Sequence, residues 1–143
     1  MSTLERAIEI AARAHAGQVD KAGAPYILHV LRVTLAVATN EERIVAALHD
    51  VVEDSGITFE YLRQQGFSNT VLAALASVTK TDADKVDYDG FIRRVSTNAI
   101  GRIVKLADLR DNCNLARIKT PQDADYKRLE KYRRAIVALE AIR

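Results

Sequence analysis

Four ionisable side chains lie close together in an otherwise apolar part of the chain. In residues 44–52 only His49 and Asp50 are not apolar, and Glu53 and Asp54 follow directly. Burying a carboxylate is costly unless a positive charge compensates it. A divalent metal ion supplies that charge and also accepts an imidazole nitrogen. The pattern favours a metal site, and its alternative is a hydrogen-bonded core histidine followed by solvated acids.

The spacing of these residues predicts that one helix, Glu41 to Glu53, carries them to a shared face. His49 and Glu53 are four residues apart, and so are Asp50 and Asp54, which places their side chains on adjoining stripes. Acids near the C-terminal end of a helix oppose its dipole, so an ion is a better explanation than solvation. We expect the His-Asp pair to bind the ion and the two later acids to orient its water.

Two further residues interrupt apolar helical segments in the same way. His29 on its own is typical of a hydrogen-bonded core histidine, and Asp108 on its own is typical of an ion pair with Lys105 or a hydrogen bond between helices. Together with His49 and Asp50, however, they make a set of two nitrogen and two oxygen donors from three helices. One shared metal ion explains all of these buried polar groups at once.

The segments that must position these residues are predicted to be helical, since no stretch shows sustained period-two alternation. We predict an all-α fold, a compact single domain of residues 1–143 with about eight helices. Thr58, Ser68 and Asn98 are predicted N-caps, and Ser2 with Glu5 has the form of a capping box. The predicted helices are Ser2–Ala16, Tyr26–Ala38, Glu41–Glu53, Phe59–Gln65, Asn69–Thr79, one carrying Tyr88 to Val95, Ala99–Ile118 and one opened by Thr120 and Pro121, with Thr81–Asp87 as a loop.

Composition limits the classes of partner and the location. The 143 residues carry a net charge of +2 with acids and bases interspersed, which argues against binding DNA or RNA but allows a local pocket for a small anion. The N-terminus lacks a secretory signal pattern, and the most apolar window, residues 27–38, is too short to span a membrane. With the single cysteine, Cys113, this indicates a cytoplasmic protein. The sequence leaves the oligomeric state open, including a homo-oligomer.

Four segments of the chain together resemble the HD-domain superfamily, and within it the hydrolase domain of RelA/SpoT-type proteins and the stand-alone small alarmone hydrolases. The combination is far more specific than the His-Asp pair alone and covers essentially the whole chain. It implies hydrolysis of the 3′-pyrophosphate of the guanosine alarmones ppGpp and pppGpp with Mn²⁺, although another divalent metal would also serve. The segments are Ala14–Gln18, Lys21–His29, His49–Asp54 and Val104–Asp108 followed by Asn112.

The resemblance also implies roles for individual residues. Glu53 and Asp54 match the pair that activates water, and the matches to the metal ligands are His29, His49, Asp50 and Asp108. Matches to substrate-binding positions are Lys21, Tyr26 and Asn112, for which a solvated loop lysine and a packed tyrosine are the ordinary alternatives. Three further cations are candidates for binding substrate phosphates: Lys80, Arg93 and Arg94.

Departures from the family pattern affect recognition of the nucleotide more than the hydrolytic chemistry. Asp20 stands where an arginine is frequent, Val30 where proline is usual, and Cys113–Leu115 replaces the usual residues after Asn112. One alternative is therefore an HD phosphohydrolase acting on another phosphorylated nucleotide, such as the 2′-phosphate of NADPH. A second alternative is a non-catalytic nucleotide sensor, although such a protein has no need of a water-activating pair. We expect a chain of this length to degrade its substrate and not to synthesise it.

Overall fold

The computed structural model describes residues 2–142, and within that range the regular elements are helices apart from one isolated antiparallel bridge between Val19 and Pro25. Eight α-helices have six or more residues and two have five, which confirms the predicted all-α fold. Met1 and Arg143, both included in the predicted domain, lie outside the described residues. The helices are α1 (Leu4–Ala14), α2 (Ile27–Ala36), α3 (Asn40–Leu48), α4 (Val51–Ser55), α5 (Phe59–Gln64), α6 (Asn69–Val78), α7 (Asp82–Val86), α8 (Tyr88–Ser96), α9 (Ala99–Asn112) and α10 (Asp123–Glu140).

The predicted N-caps of α5, α6 and α9 are confirmed. In each case a side-chain oxygen accepts a backbone N–H from three residues further on, and the caps are Thr58, Ser68 and Asn98. The predicted capping box of Ser2 with Glu5 is wrong, because Thr3 caps α1 by accepting the N–H of Arg6. The backbone N–H of Ser2 instead donates to the carbonyl of Gly66, which ties the start of α1 to the α5–α6 turn.

The predicted single helix over Glu41–Glu53 is also wrong, because the chain turns at His49 and Asp50 between α3 and α4. The His49 ring nitrogen Nδ1 lies 2.6 Å from the carbonyl oxygen of Ala46, so this side chain takes over a backbone acceptor at the end of α3. Asp50 then has φ −107° and ψ −2°, and α4 begins at Val51. The two residues with the most suggestive chemistry therefore lie at a corner between helices.

Three other predicted boundaries differ from the structure. Residues 81–87, predicted as a loop, contain α7, because Thr81 and Asp84 form a reciprocal capping box. Helix α9 ends at Asn112 and a separate 3₁₀ turn, Leu115–Arg117, follows it. The last helix begins after Gln122, whose backbone N–H donates to the carboxylate of Asp125, and not at Thr120 and Pro121.

Helix α3 lies at the centre of the main core, with α1, α2, α6 and α9 packed around it. Residues 44–48 are all buried there. A second core cluster joins α8, α9 and α10 around Phe91, Val95 and Leu109. Helix α9 belongs to both cores, so its position is fixed from two sides. In the range 2–142, no helix is both long enough and apolar enough to cross a membrane.

Candidate metal centre

The structure brings together the four residues predicted to bind a metal ion. His29 comes from α2, Asp108 from α9, and His49 and Asp50 from the corner between α3 and α4. One donor atom from each lies within 4.8 Å of all the others. The Nε2 atom of His29 is 2.9 Å from Oδ1 of Asp108, and Nε2 of His49 is 2.9 Å from Oδ2 of Asp50.

Hydrogen bonds on the far side of each ring determine which nitrogen faces the cluster. The Nδ1 atom of His49 can only donate to the carbonyl of Ala46, and Nδ1 of His29 lies 2.6 Å from Oδ2 of Asp111. In a neutral ring, Nε2 then carries the lone pair. Both Nε2 atoms are buried and lack a partner in hydrogen-bond geometry, despite their short distances to carboxylate oxygens. Two lone pairs directed at two carboxylates fit a divalent cation.

The pKa shifts in the cluster show that it attracts positive charge. Burial alone lowers the pKa of His49, but the carboxylates of Asp50 and Asp108 outweigh it and raise that pKa well above its usual value. Burial raises the pKa of Asp108, but the ammonium of Lys105 and the ring of His49 hold it well below the usual range. Asp108 is therefore ionised at neutral pH. A donor set of two imidazoles and two carboxylates can hold a divalent metal ion.

Asp111 is a member of the site that the sequence analysis missed. Its carboxylate accepts two N–H groups of Arg32, with Nε 2.7 Å from Oδ1 and Nη2 3.1 Å from Oδ2, in addition to the contact with His29. A signal was present, because Asp111 follows Asp108 by three residues on α9 and Arg32 follows His29 by three on α2. Such a carboxylate behind a ligating histidine fixes the tautomer and the orientation of the ring.

Glu53 and Asp54 lie on α4, outside the four-donor set and accessible to solvent. Glu53 accepts the backbone N–H of Lys80, which connects α4 to the end of α6. Partial burial, together with the negative charges of Asp50 and Glu53, raises the pKa of Asp54 to about 6. A carboxylate with that pKa can take a proton from water near neutral pH.

A cavity of about 390 Å³ adjoins the cluster, and we call it the Asn112 cavity. Two of its wall residues contact the cluster directly, since Nδ2 of Asn112 donates to Oδ1 of Asp108 at 3.1 Å and the hydroxyl of Tyr26 donates to Asp50. The three predicted substrate-binding residues Lys21, Tyr26 and Asn112 share this cavity. Sequence reasoning missed several other lining residues, among them Arg117, Arg128 and Tyr132.

Asp20, the most conspicuous departure from the family pattern, folds the loop that carries Lys21. Its Oδ1 atom accepts the backbone N–H groups of Ala22 at 2.9 Å and Ala24 at 3.0 Å. Its Oδ2 atom lies 3.3 Å from Nη1 of Arg117. Both oxygens are therefore engaged by the protein, and the ion pair with Arg117 fixes the loop against the chain that follows α9.

The three additional cations have different surroundings. Arg94 donates to the carbonyls of Ala76 and Thr79 and pairs with Asp84, so it stabilises the α6–α7 connection. Arg93 is exposed and lines a separate cavity of about 520 Å³ between α8 and α10. The structure does not bring Arg93 or Arg94 to the metal cluster or to the Asn112 cavity. Lys80 is the one of the three that lies near the cluster, next to Glu53.

Comparison with known proteins finds relatives over most of the chain. It is 34% identical over 133 residues to a probable GTP pyrophosphokinase of Mycobacterium leprae, covering 85% of this chain and 17% of that protein. It is 34% identical over 119 residues to a guanosine-3′,5′-bis(diphosphate) 3′-pyrophosphohydrolase of Aquifex aeolicus, covering 76% and 17%. The chain belongs to the RelA/SpoT-type HD-domain family. It spans less than a fifth of the length of these curated relatives, and no protein-family model matches it.

A solved structure shares the fold of this RelA/SpoT-type domain. Its description reads "A metazoan ortholog of SpoT hydrolyzes ppGpp and plays a role in starvation responses". The two chains superpose with a TM-score of 0.81, at 22% identity over 97% of this chain and 85% of the other. The helical arrangement of that structure is thus present in almost the whole chain.

Proposed function

We propose that this domain hydrolyses the 3′-pyrophosphate of guanosine alarmones, using Mn²⁺ held by His29, His49, Asp50 and Asp108. The observation that carries the proposal is the direct connection between the four-donor cluster and the Asn112 cavity. The volume of the Asn112 cavity, about 390 Å³, lies within the range of small-molecule pockets. The alarmone hydrolases among the relatives support the choice of substrate.

The chemistry proposed is displacement by water at the 3′-phosphorus. The water oxygen forms a bond to that phosphorus, the bond from phosphorus to the 3′-oxygen breaks, and pyrophosphate departs. The Glu53–Asp54 pair accepts one proton from the attacking water, and the 3′-oxygen takes up one proton as it leaves as a hydroxyl, so the protons balance. ppGpp thus gives GDP and pppGpp gives GTP. When bound, a divalent ion lowers the pKa of its water and polarises the phosphoryl oxygen.

The remaining residues bind and orient the nucleotide. The proposal assigns the nucleoside to the Asn112 cavity, where Lys21 provides a positive charge for a phosphate and the ring of Tyr26 provides an apolar wall. Tyr26 and Asn112 also hold Asp50 and Asp108 through their hydrogen bonds. The same two side chains therefore contact both the proposed substrate and two of the proposed metal ligands. Such shared contacts keep the reacting groups in a fixed relative geometry.

The test is a substrate panel with the purified protein. Loaded with Mn²⁺, it is incubated separately with ppGpp, pppGpp and NADPH, and products are separated by ion-exchange chromatography. We expect pyrophosphate with GDP or GTP from the two alarmones, loss of this activity with a chelator, and its return with Mn²⁺. Phosphate release from NADPH without alarmone turnover would replace the proposed substrate, and nucleotide binding without any turnover would identify a sensor.

A further inference from the structure

Three lysines, from the α6–α7 connection, α9 and α10, meet around two aromatic rings beside the metal cluster. The ammonium of Lys131 lies 4.5 Å from the ring centre of Tyr88, and that of Lys80 lies 5.3 Å from the same centre. Lys80 and Lys105 lie 5.6 and 5.3 Å from the ring centre of Phe91. Attraction between a cation and a ring face holds each ammonium in place. We call Lys80, Lys105 and Lys131 the lysine cluster.

Two members of the lysine cluster have no acidic partner. Lys105 pairs with Asp108 at 2.9 Å, but across residues 2–142 no carboxylate lies within ion-pair distance of the ammonium of Lys80 or Lys131. Both side chains are partly buried. Burial and the charges of neighbouring lysines lower the pKa of each, so the fold holds like charges together at a free-energy cost. An anion between them would remove that cost.

Helix α9 places the metal cluster between the lysine cluster and the Asn112 cavity. Lys105, Asp108 and Asn112 are spaced by three and four residues, so they form a row on one face of α9. Lys105 contacts Oδ2 of Asp108, and Asn112 contacts Oδ1 of the same carboxylate. The row is about 10 Å long at 1.5 Å per residue. An extended ligand with its nucleoside at Asn112 and its reacting phosphorus at Asp108 would continue towards Lys105.

We propose that the lysine cluster binds the terminal phosphate of the 3′-pyrophosphate group and thereby selects substrates with two phosphates at the 3′ position. This assignment rests on the proposed function for the identity of the nucleotide, whereas the anion site itself rests on the lysines. Ammonium groups act as point charges with rotatable donors, which suits a terminal phosphate that leaves as part of pyrophosphate. The Asn112 cavity has no part in this selection, because it receives the nucleoside.

The test uses charge-neutral substitutions with a matched control. Lys80→Gln and Lys131→Gln remove one positive charge each and keep a long polar side chain. Lys127→Gln removes a charge from the exposed side of the same helix, α10, where Lys127 makes no ion pair within the described residues. Circular dichroism checks that all three proteins fold. Calorimetric titration of the metal-loaded proteins, freed of excess metal, measures binding of inorganic pyrophosphate.

We expect pyrophosphate binding to weaken about tenfold or more in Lys80→Gln and Lys131→Gln, as for the loss of a charge-assisted hydrogen bond, and to stay unchanged in Lys127→Gln. Inhibition constants add a second measurement. Guanosine 5′-diphosphate 3′-monophosphate, which lacks the terminal 3′-phosphate, should inhibit wild type and variants equally, while the KM for ppGpp rises. Unchanged pyrophosphate binding, or equal losses for both nucleotides, would overturn the proposal.

The outcome also separates this inference from the proposed function. Suppose that the wild-type protein leaves alarmones intact but binds pyrophosphate, and that the two lysine variants lose this binding. In that case the proposed reaction fails and the anion site stands. If wild-type protein hydrolyses ppGpp and the lysine variants bind pyrophosphate normally, the reaction stands and the lysine assignment fails. A wild-type protein that does not bind pyrophosphate contradicts the lysine site directly.

Discussion

The Nδ1 atom of His29 lies 2.6 Å from Oδ2 of Asp111, on the side of the ring that faces away from the metal cluster. The same carboxylate receives two N–H groups from Arg32, so its own position is fixed. Because this contact keeps the proton on Nδ1, it leaves the Nε2 lone pair for a metal ion. The ring of His29 is thus oriented for its proposed role by a residue outside the four-donor set.

We therefore expect Asp111→Ala to weaken divalent-metal binding by about 10- to 100-fold, as for other groups that orient a ligating histidine. Titration of the metal-free protein with Mn²⁺, followed by electron paramagnetic resonance of the free ion, measures the affinity directly. Asp111→Asn keeps an oxygen acceptor and should lose less. Asp123→Asn, an exposed position at the start of α10, serves as the control. Wild-type affinity in Asp111→Ala would show that His29 needs no such support.

Substitutions at Asp50 and Glu53 should separate metal binding from turnover. Asp50→Ala removes one of the four donors, and we expect no stoichiometric metal in the purified protein. Glu53→Ala should retain the metal but lose turnover, and Glu53→Gln should do the same while keeping an acceptor for the N–H of Lys80. The expected loss of turnover for general-base removal is about 10²- to 10⁴-fold. Metal analysis by mass spectrometry and a pyrophosphate-release assay make the two measurements. Full activity in Glu53→Gln would refute its assigned role.

Asp54 should give the metal-free protein a distinctive dependence of stability on pH. Its pKa of about 6 lies above that of an unfolded aspartate, so the folded state binds a proton more tightly than the unfolded state does. This group therefore lowers stability as the pH rises from about 4 to 6. We expect Asp54→Asn to raise Tm by a few degrees at pH 7 and to have little effect at pH 4. Thermal unfolding followed by circular dichroism at both values checks this. An equal change in Tm at the two pH values would assign the effect to packing.

The sequence predicted the grouping of the four candidate metal ligands because buried charges in apolar helices are conspicuous. His29 and Asp108 stood out for that reason, and the structure places them 2.9 Å apart. The turn at His49 was not predictable, because the apolar pattern continues through it into α4. At that turn the His49 ring lies against the carbonyl of Ala46, a contact that hydrophobic periodicity does not encode.

The outer parts of the site escaped prediction for a different reason. Asp111 and Arg117 each resemble ordinary surface charges in the sequence, and their partners Arg32 and Asp20 are distant along the chain. Arg32 and Asp111 are separated by 79 residues, and Asp20 and Arg117 by 97. Only the folded arrangement of α2, α9 and the loop before α2 brings them together. Residues of this kind become recognisable once the positions of the helices are known.

Gly101 should be the position where a single methyl group disturbs the helix that carries Asp108. It lies where α9 packs against α6, and a methyl group there would be 2.0 Å from Oγ and 3.3 Å from Cβ of Ser77. Alanine ordinarily stabilises a helix relative to glycine, so destabilisation here would come from this contact. We expect Gly101→Ala to lower the free energy of unfolding by about 1–3 kcal/mol, as for other overpacked cores. Chemical denaturation measures this change.

The same contact predicts how a second substitution should interact with the first. Ser77→Ala removes the Oγ atom that the new methyl group would meet, but leaves the Cβ atom at 3.3 Å. We therefore expect the double variant Ser77→Ala, Gly101→Ala to recover part of the lost stability, with a coupling free energy of about 0.5–3 kcal/mol between the two sites. Ser77→Ala alone should be nearly neutral, because its hydroxyl donates only to the carbonyl of Ala74 within α6. If the two changes are additive, the steric contact between α6 and α9 is not the cause of the destabilisation.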